Sequence, residues 1–81
     1  MEKEQIESKV KEIIATIADC DISEVKEQTN VTEIGLDSLD RMELVMDLER
    51  DFNIRVPEDE GEKALTTQDF IDLVENHLTE S

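Results

Sequence analysis

The sequence predicts an all-α fold: a small antiparallel four-helix bundle with three longer helices, a short third helix and a long loop between helices 1 and 2. Apolar residues recur at helical spacing in three separate segments, and no segment alternates like a strand over any useful length. A chain of 81 residues is the size of one small domain. We therefore expect a single domain over residues 1–81.

The first helix is expected over about residues 3–18. Its apolar residues lie three or four positions apart and share one face: Ile6, Val10, Ile13, Ile14 and Ile17. All are β-branched, which lowers intrinsic helix propensity. This helix must therefore depend on packing against the rest of the bundle.

Residues 19–36 break the helical pattern and predict a long connection. A loop of this length is uncommon in a compact domain unless it packs down or carries function. Isolated apolar residues are expected to anchor it: Ile22, Val25, Val31, Ile34 and Leu36. One helical turn is expected at residues 23–26, and Gly35 can take a positive φ just before the next helix.

The second helix, expected over about residues 37–51, carries two apolar stripes. One lies within about a 100° arc and predicts a core face: Leu44, Val45, Leu48 and Phe52. The other is roughly opposite: Leu39, Met42 and Met46. One helix of a small bundle seldom needs two apolar faces, so the second stripe is expected to be exposed, between Glu43, Asp47 and Glu49. The alternative is that the two methionines fill the core.

The last third of the chain predicts a packed linker and two helices. Ile54 and Val56 suit the linker. Pro57 occupies a favoured first helical position, acidic residues follow it, and Gly61 is expected to end this short third helix. Thr66 with Asp69 predicts a capping box at the start of the last helix. Its core residues are expected to be Phe70, Ile71, Val74 and Leu78.

The charge balance restricts the partners. Twenty-three acidic and eight basic residues give a formal net charge of −15. Nucleic acid and anionic membranes require clustered Lys and Arg, so both are excluded as partners, whereas a protein with a basic patch would be attracted. High charge with few aromatic residues also occurs in disordered chains, but the regular periodicity argues against disorder.

Localisation is expected to be cytoplasmic. The single cysteine, Cys20, excludes an intramolecular disulfide. The N-terminal residues lack the apolar run of a signal peptide, and no apolar stretch reaches the length of a membrane span.

Ser38 is the candidate functional residue. Asp37 and Asp40 form a capping pair, which puts Ser38 in the first turn of the second helix, where backbone N–H groups have no partner within the helix. The unpaired donors and the helix dipole would stabilise an anion attached to Ser38. The alternative is that Ser38 is simply part of an ordinary helix cap.

The sequence lacks residues for catalysis or for a tight metal site. His77 is the only histidine and lies far along the chain from Ser38, so a serine hydrolase is disfavoured. One cysteine and one histidine do not make a zinc site. Residues 19–30 begin like a calcium-binding loop, but Glu24 replaces the required glycine and Asn30 the final glutamate. No catalytic and no metal residue is predicted, which suggests that another enzyme acts on Ser38.

The sequence resembles a known family. The resemblance covers nearly the whole chain and rests on these residues: Gly35-Leu36-Asp37-Ser38-Leu39-Asp40, Glu43-Leu44-Val45-Met46, Val56-Pro57 with the acidic residues that follow, Lys63, Thr66 and Thr67. In composition and order they are similar to discrete acyl carrier proteins of fatty acid synthesis.

The resemblance implies a carrier rather than an enzyme. A phosphopantetheinyl transferase would attach 4'-phosphopantetheine from coenzyme A to Ser38, and its thiol would carry growing acyl chains as thioesters among fatty acid synthase enzymes with basic patches. The acyl chain would insert between the helices of a monomer. The resemblance also implies a partner-binding face, made of Asp37, Leu39, Asp40, Met42, Glu43, Met46 and Glu49.

Several residues depart from the family pattern. Arg41 and Arg50 add positive charge to the second helix, and Asp47 adds a charge where a small apolar residue is common. Leu36 is bulkier than the alanine often found there, and the segment between Pro57 and Thr66 is one residue longer than usual. These departures bear on partner choice. Two alternatives stay open: a carrier of amino acid or polyketide intermediates, and an unmodified acidic helical adaptor that binds a basic partner through the Leu39 stripe.

Overall fold

The computed structural model describes residues 2–79. Within that range the chain forms α1 (Lys3–Ala18), a 3₁₀ turn (Ile22–Glu24), α2 (Ser38–Phe52), α3 (Glu58–Lys63) and α4 (Thr67–Thr79). This confirms the predicted all-α fold with three longer helices, a short third helix and a long loop between α1 and α2. The expected single domain over residues 1–81 includes positions 1, 80 and 81, which lie outside the described residues.

Helix α1 contacts both α2 and α4 through its apolar face. The buried residues are Ile6, Val10, Ile13, Ile14 and Ala15, whereas Ile17 is only partly buried. Full burial of one such aliphatic side chain contributes about 1.5–3 kcal/mol. Packing therefore compensates for the low helix propensity of these β-branched residues.

The loop between α1 and α2 is anchored at three buried residues, Val25, Val31 and Leu36. The helical turn begins one residue earlier than expected, because Asp21 caps it: the Ser23 N–H donates to Asp21 Oδ1 over 3.0 Å. The expectation that Ile22 anchors the loop is wrong, since 45% of its surface is exposed. As the first residue of the capped turn, Ile22 faces away from the core.

Backbone hydrogen bonds join this loop to the start of α4. The Val31 N–H donates to the Leu65 carbonyl (2.8 Å), and the Thr67 N–H donates to the Thr29 carbonyl (3.0 Å). The Gln68 N–H donates to the Glu27 carbonyl (2.9 Å). These bonds satisfy loop groups that would otherwise need water, and they hold the loop in one conformation.

Helix α3 differs from its prediction in two respects. Pro57 is the N-cap rather than the first helical residue, so the helix begins at Glu58. Gly61 does not end the helix, which continues to Lys63. Gly61 is buried, and a Cβ atom at this position would lie 3.2 Å from Val45 Cγ2. The glycine therefore serves the close approach of α3 to α2 rather than helix termination.

Helix α4 begins at a capping box, as predicted. The Asp69 N–H donates to Thr66 Oγ1 (3.1 Å), and the Thr66 N–H donates to Asp69 Oδ2 (3.1 Å). Its core face holds Phe70, Ile71, Leu73 and Val74, with Leu78 partly buried against them. No helix within residues 2–79 has the length and apolar character needed to cross a membrane.

Candidate functional site

Ser38 is the first residue of α2, and its side chain is exposed. Three features of the preceding chain bring it there. Gly35 turns the backbone at a φ of 101°, a region that favours glycine. Leu36 is buried and anchors the segment, and Asp37 is the N-cap residue. The hydroxyl of Ser38 is thus presented to solvent at a defined position.

The capping pair predicted around Ser38 is present. The Asp40 N–H donates to Asp37 Oδ1 over 2.9 Å, and the Asp37 N–H donates to Asp40 Oδ2 over 3.2 Å. Both carboxylates are therefore engaged with the backbone of the first turn. The other N–H groups of that turn have no acceptor within the helix, and they orient their positive ends toward a group attached at Ser38.

A cavity of about 440 Å³ lies between α2 and α3, and Ser38 is one of its lining residues. Its apolar wall consists of Met42, Val45, Met46 and Val56. Val45 was expected to be a core residue; it is only partly buried, because one side faces this cavity. The exposed serine and an apolar space large enough for an aliphatic group are therefore neighbours.

The second apolar stripe of α2 is exposed, as expected. Leu39, Met42 and Met46 expose 73%, 59% and 60% of their surfaces, respectively. The alternative in which Met42 and Met46 fill the core is wrong. Exposed large apolar side chains at the start of one helix are typical of a protein-binding surface.

The acidic residues expected beside the stripe differ in their surroundings. Asp37 and Glu43 are exposed, whereas Asp40 and Glu49 are partly buried. Oε2 of Glu49 accepts a hydrogen bond from the Val56 N–H over 2.9 Å. The seven predicted partner residues thus lie at the N-cap and along the first three to four turns of α2, and three of their carboxylates, those of Asp37, Asp40 and Glu49, accept backbone hydrogen bonds.

Sequence reasoning named Glu49 as a partner-binding residue, but it did not predict that charged side chains surround a cavity. Arg41, Glu49, Glu58 and Glu62 all line it. Arg41 could have been found, because residues three apart on a helix share a face and Arg41 is three positions after Ser38. The glutamates of α3 could not, because their place depends on how α3 packs against α2.

Within the part of the chain that the structure describes, no histidine or metal-binding cluster lies beside Ser38. Among the described residues that line the cavity there is no histidine and no cysteine. His77 lies on α4, with Nε2 3.5 Å from Glu60 Oε1. Within residues 2–79, no group of three His, Cys, Asp or Glu side chains could hold a metal ion.

Comparison with known proteins identifies the family. The family described as phosphopantetheine attachment site matches residues 8–74. The crystal structure of an acyl carrier protein from Thermotoga maritima is similar over 99% of this chain and 94% of that one, with 34% sequence identity and a TM-score of 0.83. The chain belongs to the acyl carrier protein family.

A second acyl carrier protein is also similar in structure. It is the hexanoyl-bearing carrier of the actinorhodin polyketide synthase from Streptomyces coelicolor, solved by NMR. The similarity covers 89% of this chain and 88% of that one, with 25% identity and a TM-score of 0.77.

As a member of the acyl carrier protein family, the protein is a non-catalytic carrier with a covalent 4'-phosphopantetheine group. That group supplies a thiol, which takes acyl chains as thioesters, and a phosphopantetheinyl transferase attaches it. The residues at the start of α2 fit such a group, because they combine an exposed hydroxyl, the unpaired N–H groups of a helix start and an adjacent apolar cavity.

Proposed function

We propose that Ser38 carries the phosphopantetheine group, and that the protein transports growing acyl chains among the enzymes of fatty acid synthesis. In the attachment step, Ser38 Oγ bonds to the phosphorus of the phosphopantetheine phosphate, the bond to the adenosine bisphosphate half of coenzyme A breaks, and the hydroxyl proton is released. The main support is the position of the exposed Ser38 beside the α2–α3 cavity. We propose that residues 1–81 act as one monomeric domain in the cytoplasm.

The other serines of the described chain are weaker candidates. Ser8 is exposed on α1, and Ser23 is exposed in the 3₁₀ turn. Neither lines the α2–α3 cavity, and neither lies in the first turn of a longer helix. They provide matched controls for any test of Ser38.

The test is intact mass after incubation with coenzyme A and a broad-specificity phosphopantetheinyl transferase. We expect the wild-type protein and Ser23→Ala to gain one phosphopantetheine, and Ser38→Ala to gain none. No gain on the wild-type protein would overturn the carrier proposal and leave the acidic adaptor as the better alternative. An equal gain in mass by Ser38→Ala would show that another residue is the attachment site.

Fatty acid synthesis is proposed because the second helix carries Glu43-Leu44-Val45-Met46 and a mostly acidic surface, which resemble the carriers of that pathway. Polyketide synthesis is the second candidate, since the chain is also similar to the actinorhodin carrier. Elongation rates with a ketosynthase of each type would separate them. We expect the fatty acid enzyme to be faster, and the reverse order would favour the polyketide pathway.

We further propose that partner enzymes bind the start of α2 through Asp37, Leu39, Asp40, Met42, Glu43, Met46 and Glu49. The exposed apolar stripe and the net charge of −15 support a partner with a basic patch around an apolar centre. Leu39 is the most exposed of the three apolar residues, so it is the best candidate for insertion into a partner pocket.

Two variants test this face with the transferase as partner. We expect Leu39→Ala and Glu43→Lys each to lower kcat/KM about tenfold, through lost apolar contact and through lost steering, respectively. Both side chains are exposed, so thermal unfolding should change little. Glu4→Lys, an equal charge change at an exposed position of α1, should have a small effect. An equal loss in Glu4→Lys would mean that only net charge matters.

A further inference from the structure

Both methionines of the described chain lie in the exposed apolar stripe of α2. Met42 and Met46 are four positions apart, so they share one face of the helix. They expose 59% and 60% of their surfaces, respectively. Methionine often fills gaps in hydrophobic cores, but neither of these side chains belongs to the core. Both side chains are therefore accessible to small molecules in solvent.

Methionine at these two positions has a chemical consequence that leucine would not have. Leu39, the third residue of the stripe, offers a similar apolar surface, but its side chain contains no sulfur. A methionine thioether is oxidised to a sulfoxide, and methionine sulfoxide reductases reverse the reaction. The sulfoxide is polar, so oxidation of Met42 and Met46 would leave Leu39 as the only apolar residue of the stripe.

Oxidation of the two methionines would change the binding face without disturbing the core. The buried residues of α2 are Leu44, Leu48 and Phe52, and none of them contains sulfur. Met42 and Met46 lie on the outer side of the helix, in the same wall of the α2–α3 cavity that Ser38 lines. The change in polarity is therefore confined to the surface that a partner enzyme contacts around Ser38.

Cys20, the remaining sulfur-containing residue of the described chain, has a different environment. It is partly buried just after α1 and does not line the α2–α3 cavity. Burial and the nearby carboxylates of Glu24 and Asp21 raise the pKa of its thiol. Peroxides react with the thiolate, so a raised pKa slows the oxidation of Cys20, whereas a thioether reacts without losing a proton.

We propose that Met42 and Met46 form a reversible oxidation site that switches off partner binding at the start of α2. Hydrogen peroxide is the oxidant: a sulfur lone pair forms a bond to one peroxide oxygen, the O–O bond breaks, and water leaves. The sulfur loses two electrons, which the peroxide gains. Hydrogen peroxide is neutral, so the net charge of −15 does not repel it.

The reverse step regenerates the binding face. A methionine sulfoxide reductase takes two electrons and two protons from a dithiol, which becomes a disulfide, and the sulfoxide oxygen leaves as water. The apolar thioethers of Met42 and Met46 are then restored. This inference rests on the proposed partner-binding face, and it adds that contact at this face depends on the oxidation state of two side chains.

The experiment uses the phosphopantetheinyl transferase as the partner. The parent protein carries Cys20→Ala, so that thiol oxidation does not contribute, and the control carries Met42→Leu and Met46→Leu in addition. Both proteins, before attachment of phosphopantetheine, are treated with hydrogen peroxide, which is then removed with catalase. Peptide mapping by mass spectrometry locates each added oxygen atom. We expect the oxidised parent protein to lose about tenfold in kcat/KM, the effect of weakening an apolar centre of an interface.

The leucine control should keep its kcat/KM after the same treatment, because its stripe has no thioether. Methionine sulfoxide reductases for both sulfoxide epimers should restore the kcat/KM of the oxidised parent protein. A variant with Met42→Gln and Met46→Gln has polar side chains of similar length, and it should lose kcat/KM without peroxide. An equal loss in the leucine control, or full kcat/KM in the oxidised parent protein, would overturn the proposal.

Urea unfolding of the oxidised parent protein separates a surface effect from a loss of folding. We expect the urea midpoint to stay unchanged, since both methionines are exposed. A lower midpoint that accounts for the lost kcat/KM would overturn the proposal. Failure of the attachment itself is distinguishable: the untreated parent protein would then gain no phosphopantetheine, whereas peptide mapping would still report sulfoxides at Met42 and Met46.

Discussion

A Cβ atom on Gly61 would lie 3.2 Å from Cγ2 of Val45, so α3 packs on α2 at a distance that few other residues permit. We predict that Gly61→Val destabilises the protein by about 1–3 kcal/mol, because added methyl groups force the two helices apart. Urea unfolding measures the change. The same displacement should alter the α2–α3 cavity and reduce shielding of an octanoyl thioester.

Two further variants separate packing from helix propensity. Lys63→Val places the same β-branched residue at an exposed position of α3, and it should change the free energy of unfolding by only a few tenths of a kcal/mol. Val45→Ala in the Gly61→Val background should recover part of the loss, since it makes room for the new side chain. If the two substitutions change the free energy of unfolding additively, the contact between residues 45 and 61 does not limit how closely α3 packs on α2.

The Gly61 result illustrates which features local sequence patterns could predict. Apolar spacing predicted the buried faces of α1 and α4, and the Asp37–Asp40 pair predicted the start of α2, because each depends on residues a few positions apart. Gly61 was interpreted as a helix terminator, since nothing near it in sequence reveals Val45. The glutamates of α3 beside the cavity have the same origin: the spacing of Arg41 from Ser38 was visible in the sequence, but the cavity itself forms only once α3 packs against α2.

The end of α1 contains an unfavourable residue. Asp19 has a φ of 56°, a left-handed conformation, and its carboxylate lies at the negative end of the helix dipole. We predict that Asp19→Gly stabilises the protein by about 1 kcal/mol, with Asp19→Asn giving the charge contribution alone. Asn53→Gly, at a φ of 54° without a charge, is the conformational control. The prediction is contradicted if Asp19→Gly lowers the midpoint of thermal unfolding.

The start of α4 should depend on pH through Asp69. Hydrogen bonds from the Leu65 and Thr66 backbone N–H groups lower the pKa of this carboxyl in the folded protein. Since the folded pKa lies below the unfolded one, the stabilisation is complete above about pH 4 and is lost as the pH falls through the folded pKa. We predict that Asp69→Asn costs about 1 kcal/mol at pH 7, the usual contribution of a cap.

Unfolding of wild type and Asp69→Asn between pH 2 and pH 7 tests this, with the range set by the usual carboxyl pKa of about 4. The difference in the free energy of unfolding between the two proteins should become smaller as the pH falls. Glu12→Gln, at an exposed position of α1, removes a carboxylate without a cap and should show little difference at any pH. If the difference in the free energy of unfolding between wild type and Asp69→Asn does not change with pH, the ionised carboxylate does not have the proposed role.

Self-repulsion should make the folded state sensitive to salt. The protein carries a formal net charge of −15 within a radius of gyration of 11.3 Å. The screening length is about 10 Å at 0.1 M salt, so modest ionic strength screens repulsion across the whole molecule. We predict that the melting temperature rises between 0.01 and 0.2 M sodium chloride, roughly the range over which the screening length shortens to molecular size. A flat response would show that repulsion contributes little.

The backbone bonds between the α1–α2 loop and the start of α4 link distant parts of the chain. Thr29 and Thr67, 38 positions apart, are joined through both the Thr67 N–H and its hydroxyl. The carbonyl groups of Glu27 and Thr29 therefore lose their hydrogen-bond donors, Gln68 and Thr67, in any chain that ends before α4. The same loop leads directly into Gly35 and Ser38. Correct presentation of Ser38 is consequently a property of the completed chain, and a truncated product would offer this serine on an untethered segment.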